Sequence, residues 1–162
     1  MNNKTVEKSH DFAQRFSFDE LDARGCYVNL QNTIEDIQAT HHYPESLAIL
    51  LNEFAASAVL LRNTVKLDGS LTIQYRSGDQ QSPVSMIIAD CSSDYGVRAI
   101  CEFDGQRFLP KEEKIDLRSL SSNAHLVITI TPKYGKRYQG IVAIDSANLT
   151  CLLYTSPSPR DS

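Results

Sequence analysis

The sequence is short of the features that usually announce chemistry. Its four cysteines, Cys26, Cys91, Cys101 and Cys151, stand far apart. None forms a C-x-C or C-x-x-C pair, so the close spacing of a zinc knuckle or a dithiol redox motif is missing. The expected state is free, mostly buried thiols in a reducing cytosol. Gly69, Gly78, Gly96, Gly105, Gly135 and Gly140 fall singly at turns. No glycine-rich loop precedes a helix, which leaves no nucleotide fingerprint. Positive charge is also scarce, with 16 Lys and Arg against 20 Asp and Glu and a formal net charge of −4. That balance argues against a nucleic-acid partner, because phosphate binding needs a basic surface. Residues 1–20 hold no apolar core of a secretory signal. No run reaches the ~20 apolar residues that span a bilayer. No membrane partner is expected, and the expected location is the cytoplasm.

What the chain does have is one unusually apolar helix-forming stretch, Pro44 to Lys66. Between Leu47 and Leu61 only Asn52, Glu53 and Ser57 are not apolar. A helix resting on a single sheet needs one apolar stripe. This one is apolar nearly all round, which predicts burial on more than one side. Pro44 suits the first helical position. Glu45 favours the N-terminus, and Arg62 and Lys66 the C-terminus, through the helix dipole. Asp68-Gly69 reads as the turn that stops it.

Around this stretch the periodicity is mostly strand-like. Residues 1–10 are polar and expected to fray. Asp11–Glu20, with Phe12, Phe16 and Phe18, reads as a short helix or docking segment, and Ala23–Leu30 as a strand. Asn32 and Glu35 read as a capping pair for a short helix with Ile34 and Ile37 on one face. It ends before Pro44. Leu71–Arg76, Val84–Asp90 and Tyr95–Phe103 form a predicted antiparallel meander. An irregular polar region, Asp104–Asn123, follows. His125–Pro132 and Arg137–Asp145 are the clearest hairpin, turning at Gly135, which is free to take positive φ. Ser146–Leu153 reads as a helix cut off in its first turns, since the two Ser-Pro pairs beyond it cannot continue one. The predicted class is α+β: a central buried helix packed between antiparallel β layers (β/α/β), truncated at the C-terminus. Residues 1–152 are assigned to the domain and 153–162 to a disordered or non-native tail.

Candidate chemistry is thin. Cys26 follows Gly25 in a strand, but a catalytic thiol needs a base beside it, and nothing in the sequence pairs it with His41, His42 or His125. Adjacent His41 and His42 diverge by ~100° on a helix and do not share a metal face. Lys133, Lys136 and Arg137 interleave with Tyr134 and Tyr138, a pattern that can bind single strands. Here it sits at a hairpin turn, where solvated charge is ordinary. No catalytic, cofactor-binding or metal-ligating residue is assigned, and the chain is read as no enzyme. The alternatives are a small cytosolic thiol enzyme using Cys26, or an RNA-binding module using the hairpin turn.

Several stretches together resemble one family, the redox-regulated heat-shock holdases, also called the 33-kDa chaperonin family. They are Arg24-Gly25, HHYP at His41–Pro44, LLRNTVKLDGSLTIQ at Leu60–Gln74 and ITITPKYGKRYQGIVAI at Ile128–Ile144. The resemblance runs from about Phe18 to Leu152. It implies a buried helix between β layers and ATP-independent binding of unfolded client proteins under oxidative and heat stress in the bacterial cytoplasm, with a homodimer as the active form. It also implies a separate C-terminal zinc domain with paired cysteines. This chain's four cysteines do not match those pairs, so no zinc is expected within it. The chain is read as the N-terminal part of the chaperone domain, stopping before that switch.

Overall fold

The computed structural model describes residues 10–65, 68–109 and 113–155, with the backbone alone at 151, 154 and 155. The expectations about residues 1–9, Lys66, the Cys151 side chain and the tail from 156 lie outside the described residues.

The apolar stretch forms helix α2, Glu45–Thr64. From Ser46 to Asn63 every residue is buried or half-buried. Leu47, Leu51, Phe54, Ala55 and Ala58 are completely enclosed. The polar strip is covered as well. Asn52 accepts a hydrogen bond from Gln38 Nε2 at 2.9 Å, and Glu53 pairs with Lys114 at 3.6 Å. Pro44 stands one place earlier than expected, as the residue before the first helical turn.

Two antiparallel sheets flank α2. The smaller is a hairpin of β1, Phe12–Phe18, and β2, Ala23–Asn29. The larger holds β3 (Gly69–Ser77), β4 (Val84–Cys91), β5 (Val97–Phe103), β6 (Ala124–Pro132) and β7 (Tyr138–Ala143). Its order is β5-β4-β3-β6-β7. Helix α2 packs on β2, β3, β4 and β5, which is the layered α+β arrangement that its apolarity requires. In β3 and β4 the residues facing it alternate by two, Leu71, Ile73 and Tyr75 with Ile87, Ala89 and Cys91. Two short helices, α3 (Leu117–Leu120) and α4 (Leu149–Thr155), add Leu117, Leu120, Leu149 and Leu152 to the same core.

Three local expectations are corrected. Asp11–Glu20 is not a helix: Phe12–Phe18 is a strand paired throughout with β2. The first helix, α1 (Gln31–Thr40), is not capped by Asn32 and Glu35. Its cap residue is Leu30, which offers no side-chain bond, and the missing acceptor comes from outside the helix. Asp11, just before β1, accepts from the N–H groups of Asn32 (2.8 Å) and Thr33 (2.7 Å) and from the Thr33 hydroxyl. Gly69 does not merely end a turn. It opens β3, where a Cβ would run into the Thr131 carbonyl and Pro132 on β6, so only glycine allows the approach. Gly135 does turn the β6–β7 hairpin with φ of 105°.

Arg62, expected to act through the helix dipole, is buried and does more. It donates from Nε to the Gly69 carbonyl at 2.7 Å, and its guanidinium lies 5.2 Å from the Tyr95 ring centre. It thereby ties the end of α2 to the start of β3 and to the β4–β5 turn.

Candidate functional site

Strand pairing sorts the β1–β2 hairpin into two faces, because directly opposed residues point the same way. Ala13 pairs with Val28 and Arg15 with Cys26. Val28 packs on the core, so that face looks at α2. The other face carries Phe12, Phe16 and Phe18 with Tyr27, and none of them is covered. Phe16, Phe18 and Tyr27 are 45%, 53% and 58% exposed. The rings meet each other instead. Phe12 and Tyr27 lie 5.6 Å apart, and Phe16 and Phe18 meet edge to face at 5.6 Å. The Phe16 ring also lies directly over Gly25, where a Cβ would collide with it. The Arg24-Gly25 motif thus acquires a local cause: the glycine leaves room for the aromatic ring across the strand. Leu21 extends the apolar character to the hairpin tip.

The hairpin is held to the body by the Asp11 staple. Burial raises the Asp11 pKa, but hydrogen bonds from Thr33 and Asn32 outweigh it and hold the carboxyl below its ordinary value of 3.8. A carboxylate with a depressed folded pKa stabilises the fold above its unfolded pKa, and the contribution is lost as pH falls through the folded value. Asp11→Ala should remove it at neutral pH, costing about 0.5–2 kcal/mol as for a lost helix cap. Amide exchange in β1 should then quicken ahead of exchange in β3. Equal protection of β1 in the variant and the parent would count against the staple.

The residues singled out for catalysis or ligation do not converge. Cys26 is half-buried and lines a cleft with Arg15, Arg24, Asn63 and Thr64, among whose lining residues there is no histidine. His125 lies on β6 in the other sheet, and His41 and His42 follow α1. Cys91 and Cys101 are buried on the α2 side of the large sheet. Burial pushes the Cys101 thiol up to about 12, helped by the Glu102 carboxylate. Burial likewise raises Cys91, against the opposing pull of Arg62. Such thiols stay protonated and are poor ligands and nucleophiles. Among the described residues no three His, Cys, Asp or Glu side chains come together as a metal set. The basic turn is partly neutralised: Lys133 lies 3.9 Å from the Asp68 carboxylate and over the Tyr134 ring. No helix among the described residues is long and apolar enough to cross a membrane.

The aromatic face escaped sequence reasoning because Phe12 and Phe16, four apart, also fit a helical spacing. A signal was present. Phe12, Phe16 and Phe18 share one parity, as do the paired positions of a strand.

Residues 11–154 match the family model described as Hsp33 protein. The chain is similar to the 33 kDa chaperonin of Pseudomonas fluorescens (strain SBW25), 42% identical over 140 residues, which is 86% of this chain and 45% of the relative. It is similar to that of Ectopseudomonas mendocina (strain ymp), 42% identical over 144 residues, 88% of this chain and 47% of the relative. The 33 kDa chaperonin of Pseudomonas putida (strain GB-1) is 39% identical over 140 residues, with 86% and 45% covered. The chain thus spans less than half the length of the curated relatives it matches.

Proposed function

The chain belongs to the Hsp33 protein family, and we propose that it is the N-terminal part of an ATP-independent holdase that binds unfolded client proteins through the aromatic face of the β1–β2 hairpin. The observation that carries this reading is the uncovered cluster of Phe12, Phe16, Phe18 and Tyr27 on a chain whose core is otherwise well enclosed. Large uncovered apolar patches on globular domains mark interaction sites. If each ring leaves on the order of 100 Å² to cover, the patch offers roughly 10 kcal/mol at about 25 cal/mol per Å². Ordering and association costs offset much of that. The result is broad, reversible attachment to exposed apolar segments, which suits a holdase and needs no nucleotide.

The relatives' names point to a non-enzymatic role, and the dispersed cysteines and histidines favour the same reading. Unfolded proteins are the partners in this proposal, a homodimer its active form and the cytoplasm its location. Redox control belongs to paired cysteines outside this chain, and the boundary expected after residue 152 moves to Thr155, since α4 runs that far and Leu153 packs against the core.

Light scattering of a heated client tests the proposal. The chain, without ATP, should suppress aggregation in proportion to its concentration, in reducing buffer and after peroxide alike. No suppression by either this chain or a full-length relative would overturn the holdase reading. Reversible switching of this chain by peroxide and reductant would overturn the placement of redox control outside it.

A further inference from the structure

The inward face of the β1–β2 hairpin does not close on α2 along its whole length. Two clefts remain beneath it, of about 570 and 730 Å³, and Arg15 and Asn63 line both. The larger, toward the hairpin tip, holds a thiol between two cations. Arg15 stands directly across the strand pair from Cys26. Arg24 precedes Cys26 by two residues on β2, so all three side chains leave the same face. Both arginines are exposed, and among the described residues neither has an ion-pair partner.

The opposite wall is the end of α2. Asn63 is only 5% exposed there. Its Nδ2 donates to the Val59 carbonyl at 2.8 Å, while its carboxamide oxygen receives no donor from the described residues. A polar atom on so buried a residue is ordinarily satisfied, and this one lines both clefts. Two negative features face the larger cleft as well: the Asp22 carboxylate, and the end of α2 at Thr64, whose carbonyls act as a partial negative charge. The lining is therefore not simply basic. It matches a ligand that carries carboxylates for the arginines and N–H groups for Asn63 and Asp22, with a sulfur in reach of Cys26.

We propose that this cleft binds a small zwitterionic disulfide of the amino-acid or short-peptide class, and that Cys26 forms a mixed disulfide with it. Arg15 and Arg24 take the carboxylates through charge-assisted hydrogen bonds. The Cys26 thiolate attacks one sulfur of the bound disulfide. A bond forms between the two sulfurs, the ligand's own S–S bond breaks, and its other half leaves as a thiolate with the electron pair. The proton given up by Cys26 passes to solvent, and the departing thiolate takes one back. The bound disulfide is the oxidant, and no other is consumed. Cys91 and Cys101 are enclosed on the α2 side of the large sheet and take no part. The inference stands apart from the holdase reading, and neither depends on the other.

The probes are glutathione disulfide and cystamine, two symmetrical disulfides of which only the first carries carboxylates. With the 162-residue chain at low salt, peptide mass spectrometry should place the adduct on Cys26. Glutathione disulfide should react about tenfold faster than cystamine, as expected for hydrogen bonds to a charged group, and added salt should shrink the ratio. Its rate should saturate with concentration, and unreactive S-methylglutathione should protect the thiol. Arg15→Gln combined with Arg24→Gln should bring the ratio close to one. Alkylation of Cys26 by neutral iodoacetamide corrects for any change in the thiol's own reactivity. Both arginines are exposed, and melting curves would verify folding. Arg24→Gln alone, near the hairpin tip, should show a smaller loss of the same kind. Equal rates for the two disulfides, an adduct that maps away from Cys26, a linear rate without protection, or a preference that survives the double substitution overturns the proposal.

Discussion

Phe54→Ala is expected to cost ~3–5 kcal/mol, enough to unfold much of the chain at ordinary temperature. Phe54 sits at the middle of α2 with no accessible surface. It belongs to one buried cluster with residues of β3, β4 and β5, the strands on which α2 packs. Those elements are pinned by their own sheet hydrogen bonds and cannot collapse into the space a phenyl ring leaves. The loss therefore combines the transfer term with an open cavity. Phe54→Leu, which retains most of the volume, should cost clearly less. Denaturant titrations of the three proteins decide this. A midpoint for Phe54→Ala close to that of the parent would mean that α2 is not the organising element.

The second large effect is functional and should leave stability nearly untouched. Phe18→Thr combined with Tyr27→Thr should weaken client binding by roughly 30–1,000-fold, as expected when two aromatic anchors worth about 1–2 kcal/mol each are removed. Both side chains are more than half exposed, so little burial is lost on folding. Threonine keeps the strand preference of the positions. Phe16 is left in place because its ring covers the backbone at Gly25, and removing it would confuse local structure with binding. Aggregation suppression measured beside thermal melting separates the two. Full suppression by the double variant would show that clients bind elsewhere, and a large fall in melting temperature would show that the aromatic face is structural.

These two predictions differ in how far the sequence alone could have supplied them. The place of Phe54 was legible. The almost unbroken apolar run from Leu47 to Leu61 has no solvent face to offer, so burial on several sides follows from the hydrophobic effect before any coordinates are known. The strands around it were legible for a similar reason. Leu71, Ile73 and Tyr75 alternate with polar residues, and that period is intrinsic to extended chain. The β6–β7 hairpin needed only Gly135 between two alternating runs. The aromatic hairpin face was not legible as a surface. Phe12, Phe16, Phe18 and Tyr27 have the composition of core residues, and only the packing of Val28 on the opposite face leaves them outside.

The sequence by itself determined the central helix, the β-rich surround and the absence of any compact catalytic or metal motif, because these depend on local periodicity and spacing. The tertiary structure decided three other things. It set the order β5-β4-β3-β6-β7, which lines up Ile100, Ile88, Val127 and Ile141 from four separate stretches of chain. It supplied the α1 cap from Asp11, about twenty residues away, where a search within the helix found Asn32 and Glu35. And it chose which aromatic residues were left over once α2 had been covered. Each is a long-range pairing, and a residue's partner across a sheet or at a helix end leaves no trace in its immediate neighbours.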